Sequence, residues 1–247
     1  MLVLYMMTRR SFGGLLGGVA VSSSAQAGAG ARCYRMQTFY LRQGTQLARL
    51  HEYLSSAMAK DKPALALEAL VAAHLPQVVA ITPHDSLEEA LAAPKAGALQ
   101  KWEAGEEAPY EHYTVSVLEP TAYSPPLTTP ANAPAKPRIF ELRTYHSPTW
   151  RQLAALHERF AGPEIKIFHR VGVHPILYTQ MLAGANLPNL TYVIPFESLA
   201  AREKAWDAFA ADPEWIKVRK ESIDRSGQIA SINQISLFRA APYSPIR

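Results

Sequence analysis

The sequence predicts an α+β chain: two tandem ferredoxin-like (βαββαβ) units that close on each other as a pseudo-twofold α/β barrel. Three observations carry this expectation: an internal recurrence, a repeated order of strand and helix periodicities, and strands whose two faces differ in polarity. In the recurrence, Leu50-His51-Glu52 returns as Leu156-His157-Glu158, 106 residues on, and Pro83-His84-Asp85-Ser86-Leu87 returns as Pro195-Phe196-Glu197-Ser198-Leu199, 112 on. Tyr123-Ser124-Pro125 returns as Tyr243-Ser244-Pro245, 120 on, and Leu75-Pro76 and Pro63 align with Leu187-Pro188 and Pro175. A period of this length is far longer than a solenoid repeat, so each copy reads as a small domain. Between the copies, Pro120 to Pro137 holds six prolines in a Ser/Thr/Ala-rich stretch, the composition of an extended linker.

Each unit justifies its elements in the same order. Ile139 to Tyr145 alternates, with Phe140, Leu142 and Thr144 on one face and Glu141, Arg143 and Tyr145 on the other, a half-polar strand whose first-unit copy is Tyr34 to Phe39. A helix follows, its stripe Leu153, Leu156 and Phe160 matching Leu47, Leu50 and Leu54. Ile176 to Leu182 and Leu190 to Ile194 read as strands joined by a turn-rich segment, Ala183 to Asn189. Ser198 opens a second helix through Trp206 and Phe209, and Asp212-Pro213 interrupts it with a turn at Glu214 and Trp215. A last strand, Ile232 to Phe238, closes the unit. One such unit leaves a sheet face uncovered, and two copies bury those faces against each other. On that plan the polar strand faces line a cavity between the sheets.

Composition bounds the function. The chain has 247 residues, 48% of them hydrophobic and 19% charged, so a folded core is expected. Net charge is +4, and without Arg9 and Arg10 the balance is 23 basic to 21 acidic residues, no footprint for a nucleic acid. One cysteine, Cys33, excludes an intrachain disulfide and a Cys-rich zinc site. Thr8-Arg9-Arg10-Ser11-Phe12, a weakly apolar run with glycine at four of nine positions, and Ala25-Gln26-Ala27 resemble a twin-arginine signal peptide cleaved after Ala27. The expectation is export by the twin-arginine translocase to the periplasm or the outside, with no membrane span in the mature chain.

Glu141, Arg143 and Tyr145 share one strand face, Tyr178 and Gln180 another, with Glu68 at the repeat position of Gln180. As pocket-lining groups they would orient a small, partly apolar ligand, with Arg143 as polar anchor for a carboxylate or enolate. The alternative is a mutually satisfied layer in which Arg143 pairs with Glu141 or Glu68. His51 and His157 flank the helical stripes. They can serve as acid, base or metal ligand, or as boundary histidines held by the backbone. His169 and His174 bracket a loop, where a solvated pair is the simpler reading than a metal site. No metal is predicted. Trp206, Phe209 and Trp215 read as core. No phosphate loop, Gly-x-Ser-x-Gly or His-Glu-x-x-His occurs, and no catalytic residue is assigned.

Phe140-Glu141-Leu142-Arg143-Thr144-Tyr145, Pro195-Phe196-Glu197-Ser198-Leu199-Ala200-Ala201-Arg202 and Asp212-Pro213-Glu214-Trp215 resemble the NIPSNAP family of the dimeric α/β-barrel superfamily. The first unit resembles the same domain more weakly, with Gln37 at the Arg143 position. The chain is thus expected to divide into residues 1–27 as signal and 120–137 as linker, with 34–119 as first and 138–240 as second repeat of the domain it resembles. It gives no agreed activity. Related barrels are cofactor-independent monooxygenases or bind haem, although no sequence feature here calls for haem. The readings carried forward are a ligand-binding barrel that can pair as a homo-oligomer, an enzyme of monooxygenase or haem type, and a non-catalytic interaction module with a filled barrel.

Overall fold

The computed structural model describes residues 31–58, 62–92, 102–104, 107–132 and 134–247. The signal reading, on residues 1–27, lies outside them. Eight strands form one closed antiparallel barrel: β1 (Cys33–Tyr40), β2 (Leu65–Val71), β3 (Gln77–His84), β4 (His112–Pro120), β5 (Ile139–His146), β6 (Leu177–Ala183), β7 (Asn189–Phe196) and β8 (Ile232–Ala240). The order around the barrel is β1-β3-β2-β8-β5-β7-β6-β4. Each half contributes four neighbouring strands, and the halves join along β2–β8 and β4–β6. Every edge strand of one half is thereby paired by the other, which removes the open edges.

Helices α1 (Gln46–Ala57) and α2 (Leu87–Leu91) belong to the first half. In the second half α3 (Trp150–Arg159) runs through a π-helical turn, Phe160–Glu164, into α4 (Ile165–Arg170), and α5 (Leu199–Ala211) is followed by α6 (Pro213–Ser226). Ser86, Thr149 and Ser198 cap α2, α3 and α5 by accepting from the backbone N–H three residues on. Asp212 accepts from the N–H groups of Glu214 and Trp215 at 2.9 and 3.0 Å, and Pro213 occupies the first helical position. The expected short turn there is a 14-residue helix instead. Its exposed face carries Lys217–Glu221 and Lys220–Asp224 pairs rather than an apolar stripe, so the periodicity that reveals a helix is weak.

Strand alternation sorts the core into layers. The inward face holds Tyr34 and Met36 of β1, Leu65 and Leu67 of β2, Phe140 of β5 and Phe238 of β8 in one cluster with residues from the other strands. The barrel interior is therefore packed. Glu141, Arg143 and Tyr145 lie on the opposite, helix-covered face, where Tyr145 packs with Leu153, Leu156 and Phe160. This corrects the expected polar lining between the sheets. Both strand faces are covered: inward lie Phe140, Leu142 and Thr144, the last 3.0 Å from Thr191 Oγ1, whereas on the outward face the helices supply Arg202 and Trp206 to Glu141.

The recurrent Tyr-Ser-Pro segments cross between the halves. After β4, the Tyr123 hydroxyl lies 2.7 Å from His157 Nδ1 and Ser124 Oγ accepts from the N–H of Tyr178 at 3.0 Å. After β8, the Tyr243 hydroxyl lies 2.9 Å from His51 Nδ1 and Ser244 Oγ accepts from the N–H of Ala66 at 3.0 Å. Leu127 and Ile246 then bury themselves in the barrel-lining cluster. The stretch expected as a linker thus begins as a packed strap. At the end of β6, where its register with β4 shifts, Gly184 has φ 147°, and a Cβ there would stand 2.5 Å from Ser116 Oγ. Only glycine allows that approach.

Candidate ligand site

The outward face of β5 is the start of a buried polar cluster. Glu141 is fully buried and accepts from Arg143 Nε, Arg202 Nε and, at 3.2 Å, Trp206 Nε1. The Arg143 guanidinium lies 3.7 Å over the Trp206 ring and donates to the Tyr145 hydroxyl at 2.6 Å. Arg143 is thus held by Glu141, not by Glu68, and the expected role as a free anchor gives way to the internal pair. Trp206 and Trp215 are only partly buried at the edge of this core, while Phe209 is inside it.

Beneath this cluster sits a residue that the sequence reading missed. Pro163 cannot extend the α-helical ladder and Gly162 takes φ −87°, ψ −109°, so the chain widens into the π-helical turn and sets Glu164 inward. Arg159 Nε donates to Glu164 Oε2 at 2.7 Å, while its other end reaches Ser222 Oγ at 3.2 Å and its guanidinium lies 4.9 Å over Trp215. Burial pushes the Glu164 carboxyl from an ordinary 4.5 up to about 7, with Arg159 opposing. The charge of Glu164 is felt by Tyr145, Tyr178 and Tyr192, whose own proton affinities burial raises. The hydroxyls of Tyr178 and Tyr192 are fully buried and have no hydrogen-bond partner among the described residues. The Tyr192 ring stacks on Tyr178 at 5.6 Å and meets Tyr145 edge-on at 5.3 Å. A Gly-Pro-Glu break inside an apolar helical run was the available signal for Glu164. Tyr192 alternates in step with Leu190 and Ile194, a pattern that gives no sign of a functional hydroxyl.

Glu164 also makes stability depend on pH. Its folded pKa is raised, so the native state holds a proton that the unfolded chain releases. Its contribution is complete below about 4.5 and is lost as pH rises through about 7. Wild type should therefore lose on the order of 2–3 kcal/mol relative to Glu164→Gln between pH 4.5 and 8, read from urea melts. Parallel stability curves for the two proteins would contradict it.

The other candidates divide. His157 stands between Tyr123 and Gln180 Oε1, the latter 3.2 Å from Nε2, and burial lowers its proton affinity. Tyr123 packs its ring 5.4 Å from Tyr178, so this group borders the cluster. His51 and Glu68 form the corresponding group in the first half, 3.0 Å apart. These histidines bond side chains, not the backbone groups expected of boundary residues. His169 and His174 are exposed and stack at 5.1 Å. Among the described residues no three His, Cys, Asp or Glu side chains gather to hold a metal, and no helix is long and apolar enough to cross a membrane.

Solved structures share the fold. A monooxygenase-like protein of Fusobacterium nucleatum aligns at 9% identity over 86% of this chain and 93% of its own, with a TM-score of 0.56. An anthrone oxidase-like protein aligns at 14% over 85% and 91%, TM-score 0.52. Chlorite dismutase from Candidatus Nitrospira defluvii aligns at 9% over 86% and 92%, TM-score 0.51. No curated protein sequence matches the chain. Haem, which the superfamily resemblance raises, does not fit the second half: Phe160, Phe168, Tyr178 and Tyr192 fill the space between sheet and helices, and His157 has both ring nitrogens engaged. Residues 140–245, from β5 to the strap that carries Tyr243, match the NIPSNAP family model.

Proposed function

We propose that the chain binds a small, partly apolar ligand carrying a hydroxyl or carbonyl oxygen, admitted between the second half of the sheet and its helices when the aromatic side chains that fill that layer move apart. The observation that carries this reading is the pair of buried phenols Tyr178 and Tyr192, whose hydroxyls have no partner in hydrogen-bond geometry among the described residues and which both feel the charge of Glu164. An unsatisfied buried hydroxyl costs about 1–3 kcal/mol, a cost that a ligand oxygen would offset. A carboxyl with a pKa of about 7 can exchange a proton with such a ligand near neutrality. The names of the fold neighbours, monooxygenase-like and anthrone oxidase-like, agree with an oxygen-bearing, partly aromatic ligand. Native mass spectrometry of protein purified from its own source should show a retained small molecule. The Tyr178→Phe/Tyr192→Phe double variant should lose it while melting at an equal or higher temperature.

The packed barrel interior favours a second reading, a non-catalytic interaction module. No retained ligand, together with a destabilised double variant, would favour that module and make the phenols structural. Export completes the proposal. It rests on Arg9, Arg10 and Ala25-Gln26-Ala27. Cell fractionation tests it: with both arginines changed to lysine the protein should stay in the cytoplasm, and unchanged export would refute the signal.

A further inference from the structure

The two halves carry the same hydrogen-bonded line of three side chains, with one chemical difference. In the second half, His157 joins Gln180 to Tyr123 at 3.2 and 2.7 Å. In the first, His51 joins Glu68 to Tyr243 at 3.0 and 2.9 Å. A carboxylate only accepts, so His51 keeps its proton on Nε2 and offers a bare Nδ1, to which the Tyr243 hydroxyl donates. A base within reach of a hydroxyl nucleophile, and itself oriented by a carboxylate, is the arrangement that activates nucleophiles on unrelated folds. The Gln180 amide fixes the same tautomer but has no charge to stabilise an imidazolium.

The first-half line also reaches solvent. The His51 and Glu68 side chains are 22% and 44% exposed. Tyr243 lines a groove of about 410 Å³ with Ser55, Thr129, Asn132, Pro245 and Arg247. Ser55 stands one turn beyond His51 on α1, so Tyr243 and Ser55 bring the edge of the groove next to the turn that bears the imidazole. Asn132 and the two hydroxyls can donate to a carbonyl oxygen.

We propose that Glu68, His51 and Tyr243 form an acyl-transfer site for small aryl esters, with Tyr243 as the nucleophile. Burial and the nearby Glu68 charge raise the proton affinity of the phenol, so the proton leaves during attack rather than before it. Tyr243 Oη bonds to the ester carbonyl carbon as its proton passes to His51 Nδ1. The carbon–oxygen bond to the leaving phenol then breaks, and His51 returns the proton to the leaving oxygen. Water, giving its proton to His51, next attacks the acyl carbon and releases the carboxylic acid and free Tyr243. Because acyl-tyrosine is itself an aryl ester, the leaving group must be at least as acidic as a phenol.

The test uses the full chain and 4-nitrophenyl acetate, with peptide mass spectrometry locating the acetyl group. Tyr243 should be acetylated while Tyr123 in the same protein stays unmodified. Glu68→Gln gives the first half the residue with which the second half already folds, so the thermal melt should be kept while acetylation of Tyr243 slows by at least about tenfold. Acetyl groups on lysines or histidines alone would overturn the proposal. So would Tyr243 labelling at wild-type speed in Glu68→Gln and His51→Gln.

Discussion

Replacing Glu141 with leucine is expected to cost about 3–5 kcal/mol of folding stability. The carboxylate is fully buried and gathers Arg143, Arg202 and Trp206, and the Arg143 side chain is only 11% exposed. Without Glu141, Arg143 is left as a buried cation with the Tyr145 hydroxyl and the Trp206 face for company. Arg143→Met should cost less, because Arg202 and Trp206 still hold the carboxylate. The Glu141→Leu/Arg143→Met pair should recover part of the loss, since it removes the buried Arg143 charge and leaves Arg202 its bond to Glu203, with only Trp206 Nε1 deprived of its acceptor. Urea melts of the three variants decide the matter: a double variant whose loss equals the sum of the two single losses would mean that the two side chains are not energetically coupled.

Neither half is expected to fold alone. Residues 31–127 expressed by themselves would lose the partners of β2 and β4, the opposing wall of the barrel, and the Ser244 bond that holds the N–H of Ala66. Residues 138–247 would lose the corresponding contacts, including the Ser124 bond to Tyr178. Burying one large apolar side chain contributes about 1.5–3 kcal/mol, and each half exposes several when the barrel opens, more than the whole stability of a small domain. Each fragment alone should be insoluble or molten by circular dichroism, and the two co-expressed should co-purify as a folded pair. Soluble, monomeric and cooperatively melting single halves would refute this.

Much of this architecture was legible because it rests on local pattern. The alternation of Ile139 to Tyr145, the caps Ser198 and Asp212, and the recurrence of Tyr-Ser-Pro are all visible in the chain. Which alternate of β5 turns inward was not, because helices as well as the opposing sheet cover that strand, and Arg202 and Trp206 lie about sixty residues away from Glu141. The Tyr-Ser-Pro recurrence showed that the segments matter but not that they serve the opposite half, a fact of closure rather than of sequence. Glu141, Arg143, Tyr145 and Tyr178 do converge on one layer with Glu164. His51 and Glu68 belong to a separate place, and the burial of Glu164 depends on the π-helical turn and on Arg159, itself held by Ser222, which no local pattern announces.

The reciprocal straps bear on chain order. Ala31 and Ile246, near the two ends of the described chain, both pack into the barrel-lining cluster, and Leu127 does the same where the first half ends. For the barrel, the covalent link through residues 128–137 therefore acts chiefly by keeping the halves at high effective concentration, while Thr129 and Asn132 line the groove beside Tyr243. A circular permutant that joins residue 247 to residue 31 through a short flexible linker and opens the chain near residue 132 would present the second half first, with every strand pairing unchanged.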